Sequence, residues 1–284
     1  MRRLNTLASW RNILARPFSL WLIAALALVA TPALAAPHAR GVVYAGNDMA
    51  GAPVVVKLSG DGKQVVQVIT QWDTSCQNGG DFPWSEELPT NTKIGSNGAF
   101  TVFRQIAVTL NNQLVQFTMR FSGKVTGKSI AGSTAETIEI FDDAGGLLDT
   151  CTAQATFKAV STKGTVFGGA TSQRLPVAVE LGTGNRVHHF HFGWQADCTD
   201  GVVLQEGDLL VNLSIHAGRF GRQEVLRHTE SNGDQTTLTY ILRGAIKGAQ
   251  ASGTLSVAFS VADSSGNELA RCDTQQVLWK AATG

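Results

Sequence analysis

Charge is scarce in this chain and nowhere concentrated. Asp, Glu, Lys and Arg make up 16% of its 284 residues and nearly cancel, leaving a formal net charge of +1. No basic stripe runs along it, which argues against a nucleic-acid binder. No cationic amphipathic helix offers itself to a membrane surface. Beyond residue 30 no apolar run approaches the roughly 20 residues that a helical span needs. The sequence has neither a Gly-x-Ser-x-Gly elbow nor a His-Glu-x-x-His zinc motif. Gly123-Lys-Val-Thr-Gly-Lys-Ser129 imitates a phosphate loop, but Ser122 stands where its first glycine belongs, and the segment runs from strand to strand. The expectation is a protein without a cofactor, non-enzymatic, and carrying no family signature.

The one strongly apolar stretch lies at the start. Arg2, Arg3, Arg11 and Arg16 precede an apolar run over residues 20–30, and Ala33-Leu-Ala35 fits the small-residue cleavage rule. This pattern predicts a signal peptide over residues 1–35 and a periplasmic or extracellular mature chain without a stable membrane anchor. An uncleaved signal anchor is the competing reading. Cleavage would remove four basic residues and move the formal charge from +1 to −3.

The remainder of the chain is an internal duplication. Gly41-Val-Val-Tyr44-Ala-Gly46 returns as Gly164-Thr-Val-Phe167-Gly-Gly169. Trp72 and Cys76 return as Trp194 and Cys198 at a spacing of 122. Gly123, Gly127, Gly132 and Cys151 return as Gly244, Gly248, Gly253 and Cys272 at a spacing of 121. The chain therefore reads as two copies of one module, over residues 36–160 and 164–284, joined by a linker so short that the copies should touch.

All four cysteines fall in the predicted mature part, two per copy, as expected for an oxidising compartment. An ancestral module with two cysteines most simply bonds them to each other, predicting Cys76–Cys151 and Cys198–Cys272. Zinc is the weaker alternative, because there is no Cys-x-x-Cys spacing.

Apolar residues alternate with polar ones in segments such as Val54-Val-Val-Lys-Leu58 and Gln113-Leu-Val-Gln-Phe-Thr-Met-Arg-Phe121, with Gly, Asn and Asp turns between them. The fold expected is all-β: two tandem homologous antiparallel β-sandwich or barrel-like domains, each with one internal disulfide. Trp72 and Trp194 are expected as core rings.

Three places invite a functional reading. Phe82 and Trp84 fall in an apparent loop after Cys76, where aromatics can anchor a protein or carbohydrate ligand or fold back as a plug. His189 and His191 share one face of a predicted strand, the spacing of a two-histidine metal site, with His216 or His228 as a third ligand. Glu86-Glu87 reads as a solvated edge, and the Asp142 and Asp263 turns as ordinary β-turns without calcium. The resulting expectation is surface recognition by an exported β-protein. A metal-dependent enzyme or metal binder using His189 and His191, and a structural envelope component, are the alternatives.

Overall fold

A computed structural model describes residues 41–110, 113–161, 165–199, 203–229 and 233–283. The expected signal peptide, residues 1–35, lies outside the described residues. Every regular element described is a β-strand. The first eight are β1 (Val43–Asp48), β2 (Pro53–Leu58), β3 (Gln64–Cys76), β4 (Asp81–Lys93), β5 (Ala99–Leu110), β6 (Gln113–Thr126), β7 (Ser129–Phe141) and β8 (Leu147–Val160). The rest are β9 (Val166–Thr171), β10 (Pro176–Gly182), β11 (Arg186–Cys198), β12 (Val203–Ser214), β13 (Arg219–Thr229), β14 (Gln235–Lys247), β15 (Gln250–Ala262), β16 (Glu268–Asp273) and β17 (Val277–Ala282).

They form two antiparallel sheets. The first runs β4-β3-β2-β1-β8-β7-β6-β5 and the second β12-β11-β10-β9-β17-β15-β14-β13, with β16 pairing β11 and β15. The two orders match once β16 and β17 together stand for β8. In each sheet the first strand pairs with the last, so the chain runs up and down around a circuit. Among the described residues no backbone ladder joins β4 to β5 or β12 to β13, and the circuit stays open there. In the second sheet β9, β10, β11, β16, β15 and β17 close a six-strand ring. In the first, β3 reaches β8 through Ser75↔Thr152 and Cys76↔Cys151. Each sheet thus takes the barrel-like form of the expected all-β fold.

The alternation sets which side is inside. Val54, Val56 and Leu58 of β2 and Val115, Phe117, Met119 and Phe121 of β6 point to one shared core. Val55 points the other way. Burying side chains of this size contributes roughly 1.5–3 kcal/mol each. A matching core fills the second sheet around Phe190, Phe192, Trp194 and Trp279. Trp72 and Trp194 are both buried, as expected.

Glycine is required at two kinds of place. Gly127 and Gly248 carry positive φ values of 58° and 57° in the tight turns ending β6 and β14. Gly123, within β6, lies under the ring of Phe100, and a Cβ there would sit 2.7 Å from its Cζ.

The disulfides are Cys76–Cys151 and Cys198–Cys272, the expected pairs, closing separations of 75 and 74 residues. In chain-entropy terms each restrains the unfolded chain by up to ~4.5 kcal/mol. The Asp142 and Asp263 turns are also as expected. Asp142 Oδ1 accepts from the N–H groups of Ala144 and Gly146 at 3.0 and 2.6 Å. Asp263 Oδ1 accepts from Ser265 and Asn267, both at 2.8 Å.

The two sheets touch through their outer faces. Val43, Ala45, Val55 and Ile69 of the first pack with Val166 and Ala178 of the second in one apolar cluster. Gly168 makes that approach possible, because a Cβ there would lie 2.7 Å from Val43 Cγ1.

Candidate functional site

The segment after Cys76 corrects the sequence expectation. Residues 81–93 are not a loop but β4, an edge strand that pairs, among the described residues, only with β3. Pro83 and Pro89 disguise it. They stand an even number of residues apart, so both turn their missing donor to the same side, and an edge strand has one side that needs none. The prolines also discourage a further strand from pairing there.

Once residues 81–93 form a strand, their parity is fixed. Phe82, Trp84 and Leu88 face the core of the first sheet. Phe82 meets Phe117 at a ring separation of 6.1 Å, and Trp84 stacks on Phe117 at 4.5 Å. Both are half-buried packing groups lining the inside, not rings projecting into solvent.

Glu86 shares their side. The expectation of a solvated Glu86-Glu87 edge therefore fails for Glu86, while Glu87 is half-buried on the other face. Glu87 lies on the outer face and accepts from the Gln67 side-chain amide. Glu86 turns inward, where its side chain is 10% exposed and meets Arg104 Nε of β5 at 3.2 Å. That ion pair spans the gap where no ladder joins β4 to β5. Burial raises the Glu86 carboxyl above its ordinary value, and the Arg104 charge partly restores it.

Deeper in the same interior lies Glu136 of β7, a residue that no sequence motif marks. It is 2% exposed, and neither carboxyl oxygen has a hydrogen-bond partner. Burial, with the nearby charge of Glu86 second, pushes its carboxyl up to about 8. The Trp72 Nε1 and Thr134 Oγ1 atoms are likewise buried without a partner. So is Asp149 Oδ2, further along β8 beside the disulfide. Each such group costs about 1–3 kcal/mol when left unsatisfied. Parity is the signal that could have exposed Glu136: Thr134, Glu136 and Ile138 share the inward side of β7, so a carboxylate sits in an apolar register.

The second sheet resolves the equivalent place differently. Trp84 lies opposite Trp72, with Glu86 two residues on; Glu206 lies opposite Trp194, with Asp208 two residues on. Asp208 Oδ2 accepts from Trp194 Nε1 at 3.0 Å and from the Tyr240 hydroxyl. Four residues from the facing Gly123–Gly132 pair, Met119 opposes Glu136. Four residues from the facing Gly244–Gly253 pair, Tyr240 opposes Val257. Met119 thus stands in place of the donor Tyr240, and Glu136 in place of the apolar Val257. Each sheet thus carries two carboxyls on this side, Glu86 and Glu136 in the first and Glu206 and Asp208 in the second; Asp208 is held by two donors, whereas Glu136 and the Trp72 and Trp84 indole N–H groups have no partner.

The histidines lie elsewhere. His189 and His191 of β11 line a groove of about 530 Å³ between the two sheets, with Glu180, Asp48 and Lys158. His189 Nδ1 is 2.7 Å from Glu180 Oε2, and His191 is buried. His216 belongs to the turn before β13 and lines a separate concavity with Arg219 and Arg222. His228 stands on β13 opposite Thr236. The expected third ligand is therefore not gathered with His189 and His191. Among the described residues the three potential metal-binding side chains that converge are Cys76, Asp149 and Cys151, and the two cysteines are already bonded to each other.

No family model matches the chain, and no curated protein matches it. A solved structure from Nostoc punctiforme, a DUF3598-family protein of unknown function, is similar at 9% identity over 86% of this chain and 96% of that one. Its TM-score of 0.18 is too low to bear on fold or function.

Proposed function

We propose that this is an exported, non-enzymatic binding protein that takes a small ligand into the interior of its first sheet through the gap between β4 and β5. One observation carries the reading. Buried polar atoms of Trp72, Trp84, Thr134, Glu86 and Glu136 gather without partners in the first sheet, whereas in the second Asp208 is held by two donors and the unpartnered indole is that of Trp279. Buried polar groups that stay unpaired call for an explanation, and a bound water, ion or ligand supplies one. Phe82 and Trp84 then serve recognition from inside, as the apolar wall of a recessed site. The two disulfides support an oxidising, exported setting.

Native mass spectrometry of the protein secreted by its own cell tests this reading. A bound mass lost on denaturation, and absent from Glu136→Val, is the expected result; Val is what the second sheet has at that position. A ligand-free wild-type chain would favour a structural envelope role instead. The mature N-terminus should be Ala36.

A second reading rests on the groove between the sheets. His189, His191 and Glu180 line it together; their donor atoms do not converge in this arrangement, so an ion would have to draw the two imidazoles together and break the His189–Glu180 contact. Zinc titration of the wild type and of a His189→Ala, His191→Ala variant decides it: saturable one-to-one binding lost in the variant supports the site.

A further inference from the structure

We infer that the second sheet carries an oxyanion site at the apex of the open wedge between β12 and β13, where Arg219, Arg222 and the Gly221 N–H receive a phosphate or sulfate group. The site is separate from the interior of the first sheet and stands or falls without it.

The hairpin makes the wedge. His216 and Arg219 exchange backbone hydrogen bonds at 2.8 and 2.9 Å, and beyond that bridge no ladder joins β12 to β13 among the described residues. The apex encloses a concavity of about 630 Å³, walled by Asn212 and Ser214 on one side and by Arg219, Gly221 and Arg222 on the other. No carboxylate lines it among the described residues.

Ladder parity aims a backbone donor into this space. The Ile246 N–H donates to the Gly218 carbonyl at 2.8 Å, which makes those two residues a hydrogen-bonded pair. Bonded and non-bonded pairs alternate along an antiparallel ladder. Gly221↔Arg243 is therefore non-bonded, and the Gly221 N–H turns away from β14 toward the gap. With no side chain, Gly221 leaves that donor open to a ligand.

The charges gather at the same place. Arg219 and Arg222 flank Gly221, and both are exposed. Arg243 stands opposite Gly221 on β14 and is exposed too. Glu224 answers one of the three, with its Oε2 3.3 Å from Arg222 Nε. Arg222 also donates across the wedge to the Val211 carbonyl at 3.3 Å, which holds its guanidinium at the apex. Arg219 makes no ion pair among the described residues. Guanidinium forks match the spacing of phosphate oxygens. Donors on several sides suit a tetrahedral anion better than the two oxygens of a carboxylate.

The architecture does not require these groups. The first sheet builds a comparable hairpin, in which the Gly95 N–H donates to the Ala99 carbonyl at 2.8 Å, and Phe100 faces Gly123 as Phe220 faces Gly244. There Ala99, Thr101, Val102 and Ser122 take the places of Arg219, Gly221, Arg222 and Arg243. Charge on an edge strand can also serve only to repel a pairing strand, and a strand guarded in that way binds no anion saturably.

Amide NMR of the mature protein tests the inference, with inorganic phosphate, sulfate and acetate titrated at constant ionic strength. The expected result is a saturable shift of the Gly221 amide with phosphate or sulfate, at a midpoint on the order of 1 mM. Thr101, the matching edge amide of the first sheet, should stay unmoved. Arg219→Ala copies the first sheet at an exposed position and should weaken binding about tenfold. Arg222→Lys keeps the charge but loses the fork, and should weaken it less. Phosphate binding ahead of sulfate would point to a phosphate ester as the natural group, and the reverse order to a sulfate ester. Acetate binding as tightly as either would overturn the tetrahedral assignment. Shifts that never saturate, or that Gly221 and Thr101 share, would show general ion screening and sink the site. Binding unchanged in Arg219→Ala would sink it as well.

Discussion

Glu136 on β7 and Glu86 on β4, separated by 50 positions in the chain, lie close enough inside the first sheet for the charge of one to raise the carboxyl of the other. Neither reaches Asp208's solution, a carboxylate held between an indole and a hydroxyl. The difference between the sheets is thus chemical rather than architectural, and it gives the first sheet a carboxyl that burial pushes up to about 8.

The sign of that sensitivity comes from linkage. Glu136 ionises near 4.5 when unfolded and at about 8 when folded, so the native chain holds its proton over a range where the unfolded chain has lost it. Its contribution is fully present below pH 4.5 and is lost as pH rises to about 8, with a ceiling of about 5 kcal/mol. Urea unfolding of the ligand-free protein at pH 5 and at pH 8 should show lower stability at the higher pH. Glu136→Gln should flatten most of that difference; an unchanged slope would place the sensitivity elsewhere.

Trp84→Ala should behave as a packing mutation. The ring stacks on Phe117 and closes the core beside β4, so its loss costs toward the low end of about 3–5 kcal/mol. A urea midpoint within error of wild type would show that the ring is not packed.

Replacing Cys198 and Cys272 by Ala should loosen the second sheet at one place. Among the described residues only Asp197↔Asp273 and Cys198↔Cys272 pair β11 with β16. The double variant is expected to lose about 4 kcal/mol. Amide exchange should speed first around Thr199, whose N–H donates to the Arg271 carbonyl at 2.8 Å. Uniform acceleration across both sheets would contradict this account.

Gly168→Val targets the contact between sheets. Its side chain would enter the space occupied by Val43 and Val55 and cost about 1–3 kcal/mol by overpacking. Scanning calorimetry should then show two separated transitions, because the shared cluster that couples the sheets is forced apart. A single unbroken transition at the wild-type temperature would show that the sheets are not coupled there.

Much of this was legible in the sequence. Alternation in segments such as residues 113–121 gave strands, and the matching cysteine positions gave both disulfides. Aspartate at the head of each turn after β7 and β15 gave the local hydrogen bonds. β4 was hidden because its prolines and charges resemble a loop when the partner strand is unknown. Glu86 was hidden with it, since parity has no meaning until a strand is assigned. Glu136 was readable in principle, but only by treating an inward carboxylate as a signal rather than as noise in an apolar pattern. The separation of His216 from His189 depends on where β12 ends, which spacing does not encode.

In each sheet the first strand lies hydrogen-bonded beside the last, so the chain enters and leaves a unit at one place. A second unit can be spliced onto the first without cutting any ladder. The opposite side of the circuit, between β4 and β5, is where the chain can be severed at least cost. A permuted chain beginning at β5, with β8 running on into β1, would keep every backbone pairing of the first sheet, and its new ends would flank the ion pair of Glu86 and Arg104.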